Sequence, residues 1–187
     1  MQMRSLVLAA VVSFAMTPTS FAADTTSPGR PLENVPVVGD LLKADAEQFA
    51  QKAHDDGVAE VTLARLALNN SGDAEVKDFA NDIIKDHARA NKELAKIINE
   101  ENIKMSDKPN DEATDTAEKL ASLTGKDFDR AYMDDMVDAH ENAVDLFEDY
   151  GKDGDNAKLK RFAEQMVPTL RAHLDQAKVL DARLGQM

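Results

Sequence analysis

The sequence predicts an all-α protein: an up-down-up-down bundle of four long helices, with a short helix in the long connection between the second and the third. Apolar residues recur at steps of three and four residues along four long stretches, which is the period of an amphipathic helix. No stretch alternates apolar and polar residues over the length of a strand. Two short connections and one long one separate the stretches, as in antiparallel helical bundles.

The N-terminal segment, residues 1–22, has the pattern of a secretory signal peptide. Arg4 precedes an apolar run over residues 5–16, and Ser20 and Ala22 are the small residues that a signal peptidase recognises. The apolar run is too short to cross a bilayer of roughly 30 Å as a helix. We therefore predict cleavage after Ala22, export to the periplasm or cell envelope, and no transmembrane segment in the mature chain.

The mature chain is predicted to consist of a flexible arm, residues 23–43, followed by a single bundle domain, residues 44–187. Proline and glycine recur throughout the arm, which disfavours regular structure there. The domain is long enough to bury a substantial hydrophobic core.

The composition limits the partners and the chemistry of the chain. It has no cysteine and carries a net charge of −13 at pH 7. Without thiolates, a metal site would have to use imidazole and carboxylate ligands. A strongly acidic surface repels nucleic acids and anionic lipids. We therefore predict no nucleic-acid partner, whereas the composition allows a protein partner in the cell envelope.

The first two long helices are separated by Asn69–Gly72, a run of turn-forming residues. The helical pattern starts at Asp45, and the second helix is expected to end near Asn102. Their apolar faces comprise Phe49, Ala53, Gly57, Glu60, Ala64 and Ala67 in the first helix, and Val76, Phe79, Ala80, Ile83, His87, Asn91, Leu94 and Ile98 in the second.

The long connection spans residues 103–125 and is expected to contain a short helix from Asp111 to Leu123. Gly151–Gly154 then separates the third long helix from the fourth. Pro168 lies inside the fourth helix, where it should remove a backbone hydrogen bond and produce a kink. The apolar faces comprise Phe128, Tyr132, Met136, His140, Ala143, Phe147 and Tyr150 in the third helix, and Leu159, Phe162, Met166, Leu170, His173, Ala177 and Leu180 in the fourth.

One polar, potentially metal-binding residue falls on the apolar face of each long helix. These four candidate metal ligands are Glu60, His87, His140 and His173. Inward polar residues, one from each helix, are how bundles form metal sites or buried hydrogen-bond networks. Burying them unpaired would cost a few kcal/mol each. Two interpretations therefore remain open: a structural network without a cofactor, or a site for one transition-metal ion, iron, zinc or copper.

The height of each residue along the bundle predicts which of them meet. In an up-down-up-down bundle both short turns lie at the same end, and heights can be measured as distances from that end along the axis. Glu60 and His140 then lie about 13 to 15 Å from it, His87 about 21 Å and His173 about 27 Å. These heights predict that Glu60, His140 and His87 converge, and they place His173 further from the other three.

Other polar residues give weaker signals. His54 lies beside the apolar face of the first helix and is predicted to be an exposed surface residue. The acidic residues Asp134, Asp135 and Asp138 lack the spacing of a calcium-binding loop and are predicted to form a solvated face. The chain has neither a phosphate-binding glycine loop nor a Gly-x-Ser-x-Gly motif. We therefore predict no catalytic residues and no organic cofactor site.

Three blocks of the sequence together carry a family resemblance. The first block comprises Asp45–Phe49, Glu60, Val76–Ala80, Asp86 and His87. The second comprises Leu123–Gly125, Phe128, Asp129, Tyr132 and His140. The third comprises Met166–Leu170, Arg171 and His173. From about Asp45 to about Leu180, the chain resembles the bacterial family DUF4142, a domain of unknown function. The resemblance implies an exported, ferritin-like four-helix bundle with no agreed activity. The family's shared polar positions map to the four candidate ligands.

The wider ferritin-like superfamily suggests di-iron chemistry, from which this sequence departs. Di-iron sites of that class have a glutamate three residues before each of two histidines, and two further carboxylates. Here the residues three positions before the histidines are Ile84, Val137 and Leu170. A mononuclear site, or no metal, is therefore predicted in place of a di-iron ferroxidase.

These observations lead to one functional hypothesis with two alternatives. We expect a non-enzymatic binding or stress-related protein of the cell envelope that has an inward Glu/His cluster. The first alternative is a metal-binding protein or metalloenzyme with a mononuclear or degenerate dinuclear site, such as an oxidase or a peroxide-consuming protein. The second is a pH-responsive bundle, because buried histidines titrate near neutrality.

Overall fold

A computed structural model describes residues 38–108 and 110–186, with side chains described from residue 45 onwards. The predicted signal peptide and residues 23–37 of the predicted arm lie outside the described residues. The helices are α1 (Val38–Asn70), α2 (Ala74–Glu101), α3 (Asp111–Ala121), α4 (Gly125–Asp153) and α5 (Ala157–Gly185). No strand occurs in this part of the chain. The prediction of an all-α bundle of four long helices, with a short helix in the long connection, is confirmed.

Helix α1 begins earlier than the sequence pattern predicts. It starts at Val38, whereas the amphipathic pattern starts at Asp45, so residues 38–43 of the predicted arm are helical. Gly39 disfavours helix by only about 1 kcal/mol relative to alanine, and Leu41 and Leu42 are good helix formers. One glycine is therefore too weak a signal to end the helix there.

Polar side chains cap the ends of the helices. Asp73 accepts hydrogen bonds from two backbone N–H groups in the first turn of α2, at 2.9 and 3.2 Å. Asn156 does the same at the start of α5, at 3.0 and 3.1 Å. Asn102 ends α2 in the left-handed conformation, with φ 53°, which asparagine adopts more readily than most residues. These caps satisfy backbone groups that a helix terminus leaves unpaired.

The long connection runs along α1 from Gln51 to the end of that helix and determines the direction of α4. At the start of the connection, the Ser106 N–H donates to Gln51 Oε1, 2.6 Å away, in the N-terminal half of α1. At its end, Asn70 in the last turn of α1 donates to the Leu123 carbonyl at 3.0 Å. Helix α4 therefore starts at the end of the bundle where α1 stops and α2 starts.

The helix directions are therefore up-down-down-up, which corrects the predicted up-down-up-down order. The two short turns lie at opposite ends of the bundle. Arg183 near the end of α5 is 2.9 Å from Asp73 at the start of α2. Asn156 at the start of α5 donates to Glu101 at the end of α2, at 3.0 Å. The prediction failed because the residues of the connection suggest a loop with a short helix but do not show that it crosses from end to end.

The apolar core is divided into two clusters along the bundle axis. Near the α4–α5 turn, Phe49 stacks on Tyr150 with ring centroids 4.0 Å apart. Near the α1–α2 turn, Phe79 packs edge-on against Tyr132, with centroids 6.3 Å apart. On every long helix, the candidate ligand lies between residues of the first cluster and residues of the second. The polar layer therefore crosses the middle of the bundle.

None of the five helices of the described residues has an apolar stretch sufficient to cross a membrane.

Candidate metal centre

The four long helices each place one polar side chain in the middle of the core. Glu60 on α1 is 3% exposed, His87 on α2 4%, His140 on α4 0% and His173 on α5 5%. At 1.5 Å of rise per residue, all four lie about 15 to 22 Å from the same end of the up-down-down-up bundle. The reversed helix order thus brings His173 level with the other three. All four predicted residues meet.

Glu60 and His87 form a buried ion pair. Glu60 Oε2 is 2.6 Å from His87 Nδ1, and Glu60 Oε1 is 3.9 Å from His140 Nδ1. Burial alone would raise the pKa of Glu60, but the charge and hydrogen bond of His87 outweigh burial and lower it. Burial likewise opposes the charge on His87, yet the nearby carboxylate raises the pKa of that imidazole. Both shifts favour a carboxylate paired with an imidazolium when no metal is bound.

Each histidine has one ring nitrogen held against an acceptor. His87 Nδ1 donates to Glu60. His140 Nδ1 is 2.9 Å from the Met136 carbonyl, so it carries a proton and donates to that oxygen. His173 Nε2 faces Asp86 Oδ2 at 3.5 Å. These contacts fix the orientation of the three rings.

The other nitrogen of each ring points into the core without a hydrogen-bond partner. These buried, unpartnered atoms are His87 Nε2, His140 Nε2 and His173 Nδ1. Each ring contributes one nitrogen to a group of three, and these three nitrogens all lie within 4.8 Å of one another. The ring centroids are 5.4 to 5.6 Å apart. A buried polar atom without a partner is unusual, and three of them in one place suggest a ligand-binding site.

The electrostatics of the cluster favour neutral imidazoles at two of the three positions. Burial lowers the pKa of His140, and the charge of His87 lowers it further. Burial and the charges of His87 and His140 lower the pKa of His173 to about 4. Both rings are therefore neutral at pH 7, and a neutral ring nitrogen has a lone pair available for a metal ion.

The residues present fit a metal ion bound by three imidazoles. Metal-bound histidines commonly donate their second N–H to a carboxylate or a backbone carbonyl, and Glu60 and Met136 provide these acceptors. Bonds of about 2.0 to 2.1 Å from zinc to each nitrogen require the nitrogens to be roughly 3.5 Å apart. The ring nitrogens, now within 4.8 Å of one another, would have to move closer together to reach that separation. Glu60 contributes hydrogen bonding and charge but does not belong to this compact group.

Little space remains around the cluster. The cavity beside Glu60 and His87 has a volume of about 20 Å³. The Phe79 ring covers the cluster on one side, with its centroid 6.3 Å from those of His140 and His173. This volume accommodates a single ion or water molecule but not an organic substrate.

An acidic cleft of about 290 Å³ lies between α1, α3 and α4 and reaches Glu60 from the surface. We define the acidic cleft by its charged lining residues, which are Lys52, Asp56, Glu60, Glu112, Asp135 and Asp138. The predicted solvated face is therefore only partly correct, because Asp135 is half-buried. Burial, together with the charges of Glu60 and Asp138, raises the pKa of Asp135 to about 6.

The raised pKa of Asp135 predicts that its charge destabilises the fold at pH 7. The unfolded chain carries this charge more easily than the folded one, so Asp135→Asn should stabilise the protein at pH 7. After allowance for solvent screening, the gain should be about 1 kcal/mol, or roughly 2 to 4 °C in Tm. The gain should disappear below pH 4, where the carboxyl is protonated in both states.

Thermal melts of Asp135→Asn at pH 7 and pH 4 test this expectation, with the exposed Asp145→Asn on the same helix as the control. Equal effects of the two substitutions would contradict it.

Two residues near the cluster differ from, or add to, the sequence-based predictions. His54 is partly buried in a groove between α1 and α3, where an exposed position was predicted, because α3 packs alongside it. Asp86 was not identified as a site residue, although it precedes His87 and faces His173. Asp86 lies outside the apolar face of its helix, so the sequence pattern gives no sign that it contacts a histidine. The contact becomes evident only from the packing of α2 against α5.

Comparisons with known proteins establish the family and the fold. The family model described as "Domain of unknown function (DUF4142)" matches residues 39–180, and the chain belongs to this family. A DUF305 protein from Streptomyces coelicolor is similar in structure, with a TM-score of 0.65 and 21% identity, over 76% of this chain and 94% of that one. A DUF305 fragment from Deinococcus radiodurans is also similar in structure. Its TM-score is 0.65 and its sequence identity 18%, over 76% of this chain and 97% of that one.

CopM in a Cu(I)-bound form is another structural neighbour. Its TM-score is 0.60 and its identity 19%, over 71% of this chain and 91% of that one. At these identities the similarities concern the fold, a ferritin-like helical bundle. None of the curated proteins matches the chain significantly.

Proposed function

We propose that this protein binds one transition-metal ion through the imidazoles of His87, His140 and His173, and that it does so without catalysing a reaction. The observation that carries the proposal is the convergence of three buried histidines, each of which has one ring nitrogen without a hydrogen-bond partner. A purely structural network would be expected to give each of these nitrogens a hydrogen-bond partner.

The charge balance of the site favours a monovalent ion. Glu60 contributes one buried negative charge, which the imidazolium of His87 balances in the absence of a metal. An ion such as Cu⁺ would take the place of the proton on His87 and keep the site neutral. A divalent ion would leave a positive charge in the core, which is costly unless it is compensated. Imidazole is also a suitable ligand for copper.

Copper is therefore the first metal to test. CopM, which shares the fold, has been crystallised in Cu(I)-bound and Ag-bound forms. The cavity beside Glu60 and His87 is too small for a substrate, which supports binding rather than catalysis. The N-terminal residues support export, with residues 1–22 as a cleaved signal peptide. A metal-binding role in the cell envelope fits both features.

Elemental analysis of the exported protein tests the proposal. The full chain would be produced in a bacterial host, isolated from the periplasm without an affinity tag or chelator, and loaded anaerobically with Cu⁺. We expect one copper per chain, and an intact mass that corresponds to cleavage after Ala22. The variant His87→Ala/His140→Ala should retain less than about a tenth of the copper, because two of the three ligands are lost.

The matched control is His54→Ala, which removes a histidine outside the cluster and should bind copper fully. The single variant His173→Asn serves if the double variant does not fold, as judged by circular dichroism. If wild type retains no copper, zinc or iron and the cluster variants only melt at lower temperature, the histidines are a structural network and the proposal is overturned.

A further inference from the structure

We infer that the acidic cleft is the route by which the metal ion reaches the three-histidine site; this inference rests on the proposed function. The cleft opens at the surface between α1, α3 and α4, and Glu60 lies at its inner end. Glu60 thus lines both the cleft and the small cavity beside His87. One carboxylate therefore connects the surface with the ligands.

The carboxylate of Glu60 has an oxygen free to meet an incoming cation. Oε2 is held by His87 at 2.6 Å, whereas Oε1 is buried without a hydrogen-bond partner. The side chain as a whole is 3% exposed. A buried carboxylate oxygen without a donor has a strong preference for a positive charge. It can contact the ion before the ion passes to the imidazoles.

The mouth of the cleft carries an excess of negative charge. Lys52 is paired with Asp56 at 3.0 Å, so these two charges largely cancel. Glu112, Asp135 and Asp138 remain as acidic lining residues. A cleft lined by one sign of charge raises the local concentration of the opposite ion and its rate of entry by about ten- to a thousandfold.

The acidic residues are too dispersed to hold an ion themselves. Among the described residues, the three histidines form the group of potential ligands whose atoms converge within 4.8 Å, and no acidic residue of the cleft belongs to it. The cleft therefore serves for attraction and passage of the cation, and the histidines serve for retention.

The rate of metal uptake tests the route separately from the final amount bound. Metal-free protein would be mixed with silver nitrate in chloride-free buffer, the reaction stopped with excess thiosulfate, and the retained silver counted over time. The variant Asp135→Asn/Asp138→Asn should reach the same final silver content as wild type, but about tenfold more slowly at low ionic strength. The difference should shrink in 0.5 M sodium nitrate, because salt screens the exposed charges.

The control Asp145→Asn/Asp175→Asn removes two exposed acidic residues outside the cleft, giving the same change in net charge. It should change the rate less than about twofold. Ala139→Leu, which narrows the cleft without changing charge, should slow uptake at every salt concentration.

Two results separate the two hypotheses. In the first, wild type binds silver normally, the two double variants slow uptake equally, and Ala139→Leu has no effect. This result would overturn the route and leave the histidine site intact. No silver retained by wild type at any time would overturn the site and the route together.

Discussion

Replacing Glu60 by alanine should destabilise the metal-free protein by about 3 to 5 kcal/mol, the usual cost of removing one partner from a buried ion pair. In this variant, His87 loses the carboxylate 2.6 Å from its Nδ1 and must become neutral in the core. At roughly 2 to 4 °C per kcal/mol for a domain of this size, Tm should fall by about 10 °C or more. Urea denaturation and thermal melts at pH 7 measure both quantities.

Glu60→Gln separates the effect of the negative charge of Glu60 from the effect of its size and shape, because glutamine keeps the shape and lacks the charge. Glutamine can still accept the His87 Nδ1–H, so the stability loss should be smaller, about 1 to 3 kcal/mol. Metal affinity should nevertheless fall about 10- to 100-fold, the range seen when a partner of a metal-bound histidine is changed. Glu47→Ala, on the partly exposed side of the same helix, provides the control. Wild-type copper affinity in Glu60→Gln would exclude Glu60 from a supporting role at the site.

The positions that meet at the site could be predicted from sequence because each follows from helical phase alone. Glu60, His87, His140 and His173 each fall in register with apolar neighbours, and all four are buried. Phase is a local property, since it depends on the spacing of residues within one helix. The same argument predicted the core residues Phe79, Met136 and Leu170, which are buried as well.

The heights of these residues could not be predicted, because they depend on the direction of every helix. With up-down-up-down directions, His173 lies about 27 Å from the reference end and Glu60 about 13 to 15 Å. With the observed directions, both lie about 15 to 18 Å from one end. The deciding contacts are polar and distant in sequence, such as that between Asn70 and the Leu123 carbonyl. Helical periodicity contains no information about such pairs.

The hydrogen-bond partners of the histidines could be predicted only in part. Glu60 could be identified, because it lies on an apolar face where a carboxylate is conspicuous. The Met136 carbonyl could not, because a backbone acceptor leaves no mark in the sequence, although the i, i+4 spacing to His140 permits the contact. Asp86 and Asp135 resemble the many acidic residues of a chain with net charge −13. Their roles depend on packing between helices.

Acid should destabilise the metal-free bundle through His173. Its pKa is about 4 in the folded protein and near 6.5 in the unfolded chain, so between these values the unfolded state binds more protons. Stability is therefore retained above pH 6.5 and lost as the pH falls towards 4. With allowance for partial solvent access, the loss attributable to His173 should be about 2 kcal/mol. The lowered pKa of His140 also reduces the stability of the folded protein as the pH falls.

His87 opposes this trend over a different pH range. Its pKa is raised in the folded state, so its contribution is complete below about pH 6.5 and is lost as pH rises through the folded value. The metal-free protein should therefore be most stable near neutrality, where the Glu60–His87 pair is charged and His173 is neutral. Protonation of surface carboxylates adds to the acid effect, and a variant comparison is needed to remove that contribution.

Urea titrations of wild type and His173→Asn at pH 7 and pH 4.5 isolate the effect of the histidine. The variant should lose less stability than wild type over this range, whereas Gln176→Asn, an exposed substitution on the same helix, should lose the same amount as wild type. Bound metal requires a lone pair on His173, so acid should release the ion by protonating its ligands. Equal pH dependence in His173→Asn and wild type would contradict a neutral buried His173, and with it the pH-responsive behaviour that the histidine cluster predicts.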